Sequence, residues 1–255
     1  RLLLLREVAG LYETKLKEPA KAFERYLAAF EIAPSDEQCT QDVERAARVT
    51  GEWDKLVASY KAIIERADAD GDRDLGIDLR LRLGRVLVDE VKRVDDALVE
   101  FRAVYEIDGE NSQAISALER LYRETGRYAE LLGIYEKKRD LASDPAERKQ
   151  IHYYIAELYV SPINDRPSAI LTYNKVLEDE PMDGQALAAL DKLYLAQEDW
   201  DNYAETLKKR IEIEDEEAGL VDLKYRLGGA LEKHLNDPAG ALENYREILL
   251  IDADN

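Results

Sequence analysis

The stretch EPAKAFERYLAAFEIAPSD, residues 18–36, is repeated in altered form as DPAGALENYREILLIDADN, residues 237–255. Two further copies lie between them: RVDDALVEFRAVYEIDGEN, residues 93–111, and DRPSAILTYNKVLEDEPMD, residues 165–183. One alanine recurs at intervals of 75, 72 and 72 residues (22 to 97, 97 to 169 and 169 to 241), and an aromatic follows it four residues later. The pairs are Ala22 and Tyr26, Ala97 and Phe101, Ala169 and Tyr173, and Ala241 and Tyr245. A fixed period of this length predicts a repeat architecture.

A second, related series of segments lies between these copies and has the same spacing in residues. Its members are GEWDKLVASY from Gly51, GRYAELLGIY from Gly126 and EDWDNYAETL from Glu198. Both series space their apolar residues as helices do, with almost no strand-type alternation. The repeating unit is therefore a helical hairpin of roughly 36 residues. We expect a single array of about seven hairpins, at residues 1–36, 37–75, 76–111, 112–147, 148–183, 184–219 and 220–255.

The residue types fit the close packing of two helices in each hairpin. Each first helix of the first series carries one small residue, which is expected to let the second helix approach: Ala9, Gly84, Ala156 and Gly228. The aromatic that follows the repeated alanine lies one turn further on the same face and is expected to fill the gap towards the next hairpin. Prolines suit the first turn of the second helix, where a missing N–H costs little: Pro19, Pro167 and Pro238.

This order of small, aromatic, alanine, aromatic and proline residues resembles the tetratricopeptide repeat. The first hairpin supplies Val8, Ala9, Tyr12, Ala22, Tyr26 and Pro34. The sequence departs from the pattern in lacking its first aromatic, in a longer turn between helices, and in Gly109 and Ala253 at the place of the terminal proline. The resemblance implies an all-α fold, an α-solenoid of hairpins in a right-handed superhelix. Related half-tetratricopeptide and Sel1-like repeats remain alternatives.

The composition restricts the partners that the chain is expected to bind. With 36 basic and 55 acidic residues, the formal net charge is −19, which opposes binding to nucleic acids and to anionic membranes. The first apolar run, residues 2–5, is too short to span a membrane. The single cysteine, Cys39, excludes an intrachain disulfide, and this favours a reducing compartment such as the cytoplasm. The absence of an initiator methionine suggests a piece of a longer polypeptide.

No motif in the sequence predicts catalysis, a cofactor or a bound metal. Phosphate-binding glycine loops, zinc motifs and nucleophile elbows are lacking. The acidic loop DADGDRD, residues 68–74, does not keep the spacing of a calcium-binding loop. His152 and His234 are about two hairpins apart, and Cys39 has no neighbouring histidine. We therefore expect these three residues to be structural or surface residues.

One pattern predicts a binding surface. At the matching position of successive first helices stand Gly10, Arg45, Arg85, Arg120, Glu157, Lys192 and Gly229, and four of these seven are basic. Further basic and aromatic residues are expected on the same surface: Arg48, Arg82, Arg123, Tyr153 and Tyr225. In the tetratricopeptide family the first helices line a concave groove, so the stripe would favour an acidic protein segment or peptide. The alternative is that these cations pair with acids on neighbouring helices.

The sequence thus favours a non-enzymatic scaffold that binds protein or peptide partners. Two alternatives remain open. The chain could be the regulatory or interaction domain of a larger enzyme or assembly, or it could assemble with copies of itself into an architectural array. Neither the partner nor the oligomeric state follows from the sequence.

Overall fold

The computed structural model describes residues 1–251, which fold almost entirely into α-helices and contain no strand. The first seven helices are α1 (Leu2–Leu11), α2 (Pro19–Ile32), α3 (Glu37–Thr50), α4 (Trp53–Asp70), α5 (Arg73–Val86), α6 (Val94–Ile107) and α7 (Ser112–Glu124). The next seven are α8 (Tyr128–Leu141), α9 (Pro145–Val160), α10 (Arg166–Asp179), α11 (Gly184–Gln197), α12 (Trp200–Ile213), α13 (Glu217–Lys233) and α14 (Pro238–Ile251). This confirms the predicted all-α class. Ala253, predicted to replace a proline, lies outside the described residues.

The helices form two compact units, residues 1–126 and the residues from Arg127 onwards. Within each unit, every helix packs against the next one along the chain, from α1 to α7 and from α8 to α14. Packing between sequence neighbours is the defining property of an α-solenoid, because each hairpin buries its apolar face against the adjacent one. The boundary between the units falls within the predicted hairpin 112–147. A single array over residues 1–255 stays a prediction.

The small residues of the first helices allow the close approach that the sequence predicts. A Cβ atom added to Gly84 would lie 2.6 Å from the Phe101 ring, and one added to Gly228 would lie 2.6 Å from the Tyr245 ring. Ala9 and Ala156, at the equivalent positions, are fully buried. Phe101 and Tyr245 therefore pack directly onto the small residue of their own hairpin, whereas the sequence predicts that these aromatics fill the gap towards the next hairpin.

The longer turn between the helices is accommodated by two π-helical turns, Tyr12–Leu16 after α1 and Leu87–Val91 after α5. A π-turn carries more residues per turn than an α-helix and so absorbs an inserted residue. Each ends in a lysine of left-handed conformation, Lys17 with φ of 57° and Lys92 with φ of 62°. The Arg93 N–H then donates to the Leu87 carbonyl at 2.8 Å, which closes the turn before α6 begins.

The second helices begin where the sequence predicts. Pro19 and Pro238 are the first residues of α2 and α14, and Pro167 is the second residue of α10. Before α14, the Asp237 carboxylate accepts the Gly240 N–H at 2.9 Å and so caps the helix.

Candidate ligand-binding groove

Three adjoining depressions follow the helices α3, α5 and α7 of the first unit. The first and second share Arg85, and the second and third share Ser116 and Arg120. Together they form what we call the α3–α5–α7 groove. Five of the residues predicted from the sequence line it: Arg48, Arg82, Arg85, Arg120 and Arg123.

The first depression is polar, and two of its three arginines, Arg48 and Arg82, are already paired. Arg48 Nε donates to Glu90 Oε1 at 3.2 Å, which joins α3 to the π-helical turn after α5. Arg82 Nε donates to Asp78 Oδ2 at 2.8 Å, and its terminal nitrogen binds Glu37 of α3. The hydrogen bond from Arg82 lowers the pKa of the Glu37 carboxyl group. These two arginines therefore connect helices.

Arg45 does not line any of the three depressions. Its guanidinium binds Glu13 on the π-helical turn after α1 and lies 5.4 Å from the centre of the Tyr26 ring. The hydroxyl of Tyr26 donates to the same carboxylate at 3.0 Å. The pKa of Glu13 is lowered, chiefly by the hydrogen bond from Arg45. Arg45 thus holds α3 against the preceding hairpin.

The central depression combines an apolar floor with two available cations. Its volume is 370 Å³, and Leu81, Phe101 and Ala117 line it together with polar Gln113 and Ser116. Arg85 and Arg120 are its remaining lining residues and are both exposed. Within residues 1–251 neither arginine forms an ion pair, and Arg85 makes only a 3.4 Å contact from Nε to the Leu81 carbonyl.

The third depression continues along α7 towards its C-terminal end. Its volume is 300 Å³, and its lining is mixed in charge: Ser116, Glu119, Arg120, Arg123 and Glu124. The groove therefore carries paired charges at its α3 end, a cationic apolar centre, and both signs of charge along α7.

The remaining predicted residues belong to the second unit. Lys192 is exposed on α11, and Tyr225 is 64% exposed on α13, with its ring 6.2 Å from that of Tyr245. Tyr153 corrects the prediction, because it is only 4% exposed and cannot serve as a surface contact. Its hydroxyl binds the Asp183 carboxylate, which also caps α11 by accepting the Ala186 N–H at 2.9 Å.

The site predicted from the sequence did not include the apolar residues that form the floor of the central depression. Its members nevertheless follow from helical spacing. Leu81 lies one turn before Arg85, and Ala117 lies one turn before Arg120, each on the face of its arginine. Phe101 is the repeated aromatic of α6, the second helix of the hairpin that contains Leu81 and Arg85. A search for apolar residues one turn from each predicted cation would have found two of the three.

Cys39 and the acidic stretch 68–74, two of the features considered for chemistry, make ordinary structural contacts. Residues 1–251 contain no group of three or more His, Cys, Asp and Glu side chains placed to hold a metal ion. Cys39 is buried, and burial raises the pKa of its thiol. Asp68, predicted to lie in an acidic loop, is in the last turn of α4 and accepts a hydrogen bond from Arg80 at 3.0 Å. None of the helices described is both long and apolar enough to cross a membrane.

These features define a helical-repeat protein with a groove along one set of helices. A family model described as the tetratricopeptide repeat matches residues 114–149, from α7 into the start of α9. The resemblance predicted from the sequence is confirmed.

Individual known proteins are similar to this chain only at low sequence identity. The chain is 22% identical over 211 residues to Superkiller protein 3 of Schizosaccharomyces pombe, and the match covers 80% of this chain but 15% of that relative. Among solved structures, YrrB, described as a TPR protein with an unusual peptide-binding site, is 16% identical with a TM-score of 0.41 and covers 75% of this chain and 93% of YrrB. The C-terminal part of a TPR repeat-containing protein from Cytophaga hutchinsonii is 15% identical with a TM-score of 0.43, covering 98% and 96% of the two chains.

Proposed function

We propose that this chain is a non-enzymatic interaction scaffold whose α3–α5–α7 groove binds an extended segment of a partner protein. The observation that carries the proposal is the central depression, where Arg85 and Arg120 stand beside an apolar floor without ion-pair partners in the described chain. Arg45, Arg48 and Arg82 are instead already bound to carboxylates of neighbouring elements.

The chemistry of the depression specifies the kind of segment that would bind. A carboxylate accepts charge-assisted hydrogen bonds from a guanidinium, often in a two-pronged geometry. An aliphatic side chain beside that carboxylate would contact the half-buried Ala117 and the small part of Leu81 that is still exposed. The preferred segment therefore places an acidic residue next to an apolar residue.

The charge of the whole chain sharpens this selectivity. A net charge of −19 opposes long polyanions at a distance. A short segment with one or two acids meets the local pair of arginines instead, and an apolar contact adds affinity that does not depend on charge. We propose no nucleic acid and no membrane as partners.

Selection from a displayed library of random peptides tests this function. The immobilised chain is expected to enrich peptides in which Asp or Glu neighbours Leu, Ile, Val or Met. Enrichment of basic peptides, or of no common pattern, would contradict the proposal. A chain whose Arg85 and Arg120 are both replaced by Gln serves as the counter-selection target, because it keeps the apolar floor.

Self-assembly is a second candidate function, favoured by exposed leucines. In the first unit α1 exposes Leu3 and Leu4 at 74% and 63%, and in the second α14 exposes Leu249 and Leu250 at 54% and 85%. Apolar helix faces of this kind are suited to a further hairpin or another copy. Sedimentation over a range of concentrations separates the two functions, since a constant monomer mass would exclude assembly and leave the groove unaffected.

The groove would serve equally well within a larger enzyme or assembly. The chain spans about 15% of the length of its Schizosaccharomyces pombe relative, so a scaffold role inside a longer polypeptide fits the same geometry. The sequence that flanks this chain in its gene distinguishes an independent scaffold from the regulatory domain of an enzyme.

A further inference from the structure

The second unit contains a cavity that the proposed function does not use. It has a volume of 500 Å³ and lies between the end of α8, the first half of α9 and the second half of α10. Each of the three helices contributes one basic side chain to its wall: Arg139, Arg148 and Lys175. Three cations from three helices thus reach one concave site, whose wall also contains the carboxylates of Asp140, Glu178 and Asp179.

These cations retain hydrogen-bonding capacity towards a ligand. Arg148 uses a terminal nitrogen to bind the Ala142 carbonyl at 2.8 Å, which leaves its other donors available. Arg139 donates at 2.9 and 2.8 Å to one oxygen of Asp140, its neighbour in sequence. Lys175 is exposed and forms no ion pair within residues 1–251.

A buried histidine lines the same cavity and is not satisfied by the protein. His152 is only 7% exposed, and its Nδ1 atom has no hydrogen-bond partner in the described chain. A buried nitrogen without a partner is costly, and an atom supplied by a ligand would recover that interaction. The unmet nitrogen is therefore a second observation, independent of the charges, that points to a ligand.

The field at His152 is set by groups from all three helices. The pKa of His152 is lowered by burial first, then by the charges of Arg139 and Lys175, with Arg148 acting in the same direction. Asp179 acts in the opposite direction. Asp140 and Glu178 complete the lining, and Asp140 is engaged by Arg139.

We propose that this cavity binds a phosphate group, presented by a small molecule or by a phosphorylated side chain. A tetrahedral phosphate offers acceptor oxygens in several directions, as donors from three separate helices require. A planar carboxylate is matched best by a single guanidinium fork. A divalent cation would meet the three basic side chains and does not suit the site. The net charge of −19 opposes a nucleic acid or an anionic membrane, whereas a single phosphate meets mainly the local donors of Arg139, Arg148 and Lys175.

Nuclear magnetic resonance of the two histidines tests this proposal directly. The chain has only His152 and His234, so its histidine spectrum has two signals, which the His234→Gln variant assigns. Inorganic phosphate is titrated first, then a phosphoserine peptide and its unphosphorylated serine and glutamate counterparts. Phosphate is expected to shift the His152 signal saturably and to raise the pKa of His152, because a nearby anion favours the imidazolium form. The His234 signal should stay in place.

Two substitutions in the cavity wall test whether the shift of the His152 signal comes from phosphate bound in the cavity. Lys175→Gln and Arg139→Gln are each expected to weaken phosphate binding about tenfold, the loss of one charge-assisted hydrogen bond. Lys192→Gln removes an exposed charge from α11 and should bind as the unaltered chain does. An unchanged His234 signal in each variant reports that the unit is folded.

The possible outcomes separate the sources of the phosphate. Tighter binding of the phosphopeptide than of inorganic phosphate identifies a phosphorylated partner, whereas equal binding identifies a small phosphate ligand. The proposal is overturned by equal shifts at both histidines, by a glutamate peptide that binds as well as the phosphopeptide, or by unchanged affinity in Lys175→Gln. Saturable binding of zinc or manganese at His152 in place of phosphate would also overturn it.

Discussion

At the scale of single residues, two adjacent glycines of α13 have opposite surroundings. An added Cβ at Gly228 would lie 2.6 Å from the Tyr245 ring, whereas one at Gly229 would meet nothing within 4 Å. Both residues lie inside the same helix, so their intrinsic helical preferences are the same. Their difference therefore isolates the effect of close packing between the two helices of a hairpin.

The Gly228→Ala substitution is expected to destabilise the chain by about 1–3 kcal/mol, because the ring of Tyr245 must move from its packed position. The Gly229→Ala substitution should instead stabilise it by about 0.5–1 kcal/mol, since alanine favours a helix over glycine. Urea denaturation of both variants measures the difference. Equal effects of the two substitutions would show that the small residue is not required for packing.

The buried histidine predicts a pH dependence of stability. The folded pKa of His152 lies below its ordinary value, mainly because of burial. As the pH falls through about 6.5, the unfolded chain takes up a proton that the folded chain rejects, so the free energy of unfolding decreases until the folded pKa is reached. Each pKa unit of this difference corresponds to about 1.4 kcal/mol.

We therefore expect the chain to be less stable at pH 5.5 than at pH 7.5, and the His152→Gln variant to lack this component. The His234→Gln variant is the matched control and should keep it. Urea midpoints at the two pH values provide the measurement. The same pH dependence in His152→Gln as in the unaltered chain would contradict the assignment to His152.

The limit of prediction at this scale is illustrated by two neighbouring tyrosines of α9. The sequence predicts Tyr153 on the surface, but it is buried, while the next residue, Tyr154, is 42% exposed and stacks on Tyr135 at 5.5 Å. Adjacent residues differ by about 100° around a helix, so a small error of phase exchanges the buried residue for the exposed one. The repeated alanines and aromatics are free of this error because four copies define their phase.

At the scale of elements, a buried carboxylate joins three helices of the second unit. Asp191 of α11 is 1% exposed and binds both Arg210 of α12 and Arg226 of α13. Arg226 also donates from Nε to the Tyr203 hydroxyl at 3.1 Å. The sequence did not predict this cluster, because the pairing depends on which helix faces meet and not on spacing within one helix.

Replacing Asp191 with alanine is expected to destabilise the second unit by about 3 kcal/mol, since two arginines lose the carboxylate that compensates them. Asp222 is a matched control, because it pairs with the same Arg226 at 3.6 Å but is 66% exposed on its side chain. The Asp222→Ala substitution should cost less than about 1 kcal/mol. Similar losses for the two variants in urea denaturation would contradict the central role of Asp191.

The arginine stripe shows a similar division between what spacing can and cannot predict. Five of the predicted arginines line one groove: Arg48, Arg82, Arg85, Arg120 and Arg123. Spacing does not reveal which of the predicted arginines are already paired, since partners such as Glu13 and Glu90 lie on other elements. The hairpin positions on their own therefore predict a stripe, whereas the contacts show that Arg45, Arg48 and Arg82 are already bound to carboxylates.

At the scale of the whole molecule, the fold was predictable and the site only in part. Repetition of one pattern predicts the helices, the hairpins and the all-α class together, because a helix position that is ambiguous in one copy is defined by the other copies. A binding site has no such redundancy, since it depends on the particular side chains that break the repeat. The acidic composition adds one constraint, as it directs the proposal towards short segments with local acidic groups and away from polyanions.

The most direct test of the proposed groove measures the affinity of a library-selected acidic peptide by fluorescence anisotropy. The double variant Arg85→Glu and Arg120→Glu is compared with Arg25→Glu and Arg66→Glu, which makes the same change of charge on α2 and α4 outside the groove. The groove variant is expected to lose at least about tenfold in affinity, because repulsion replaces two charge-assisted contacts. The affinity of the control variant should stay within about threefold of the unaltered chain, because only long-range, screened charge is altered. Equal losses in both variants, or an unchanged affinity in the groove variant, would contradict binding at Arg85 and Arg120.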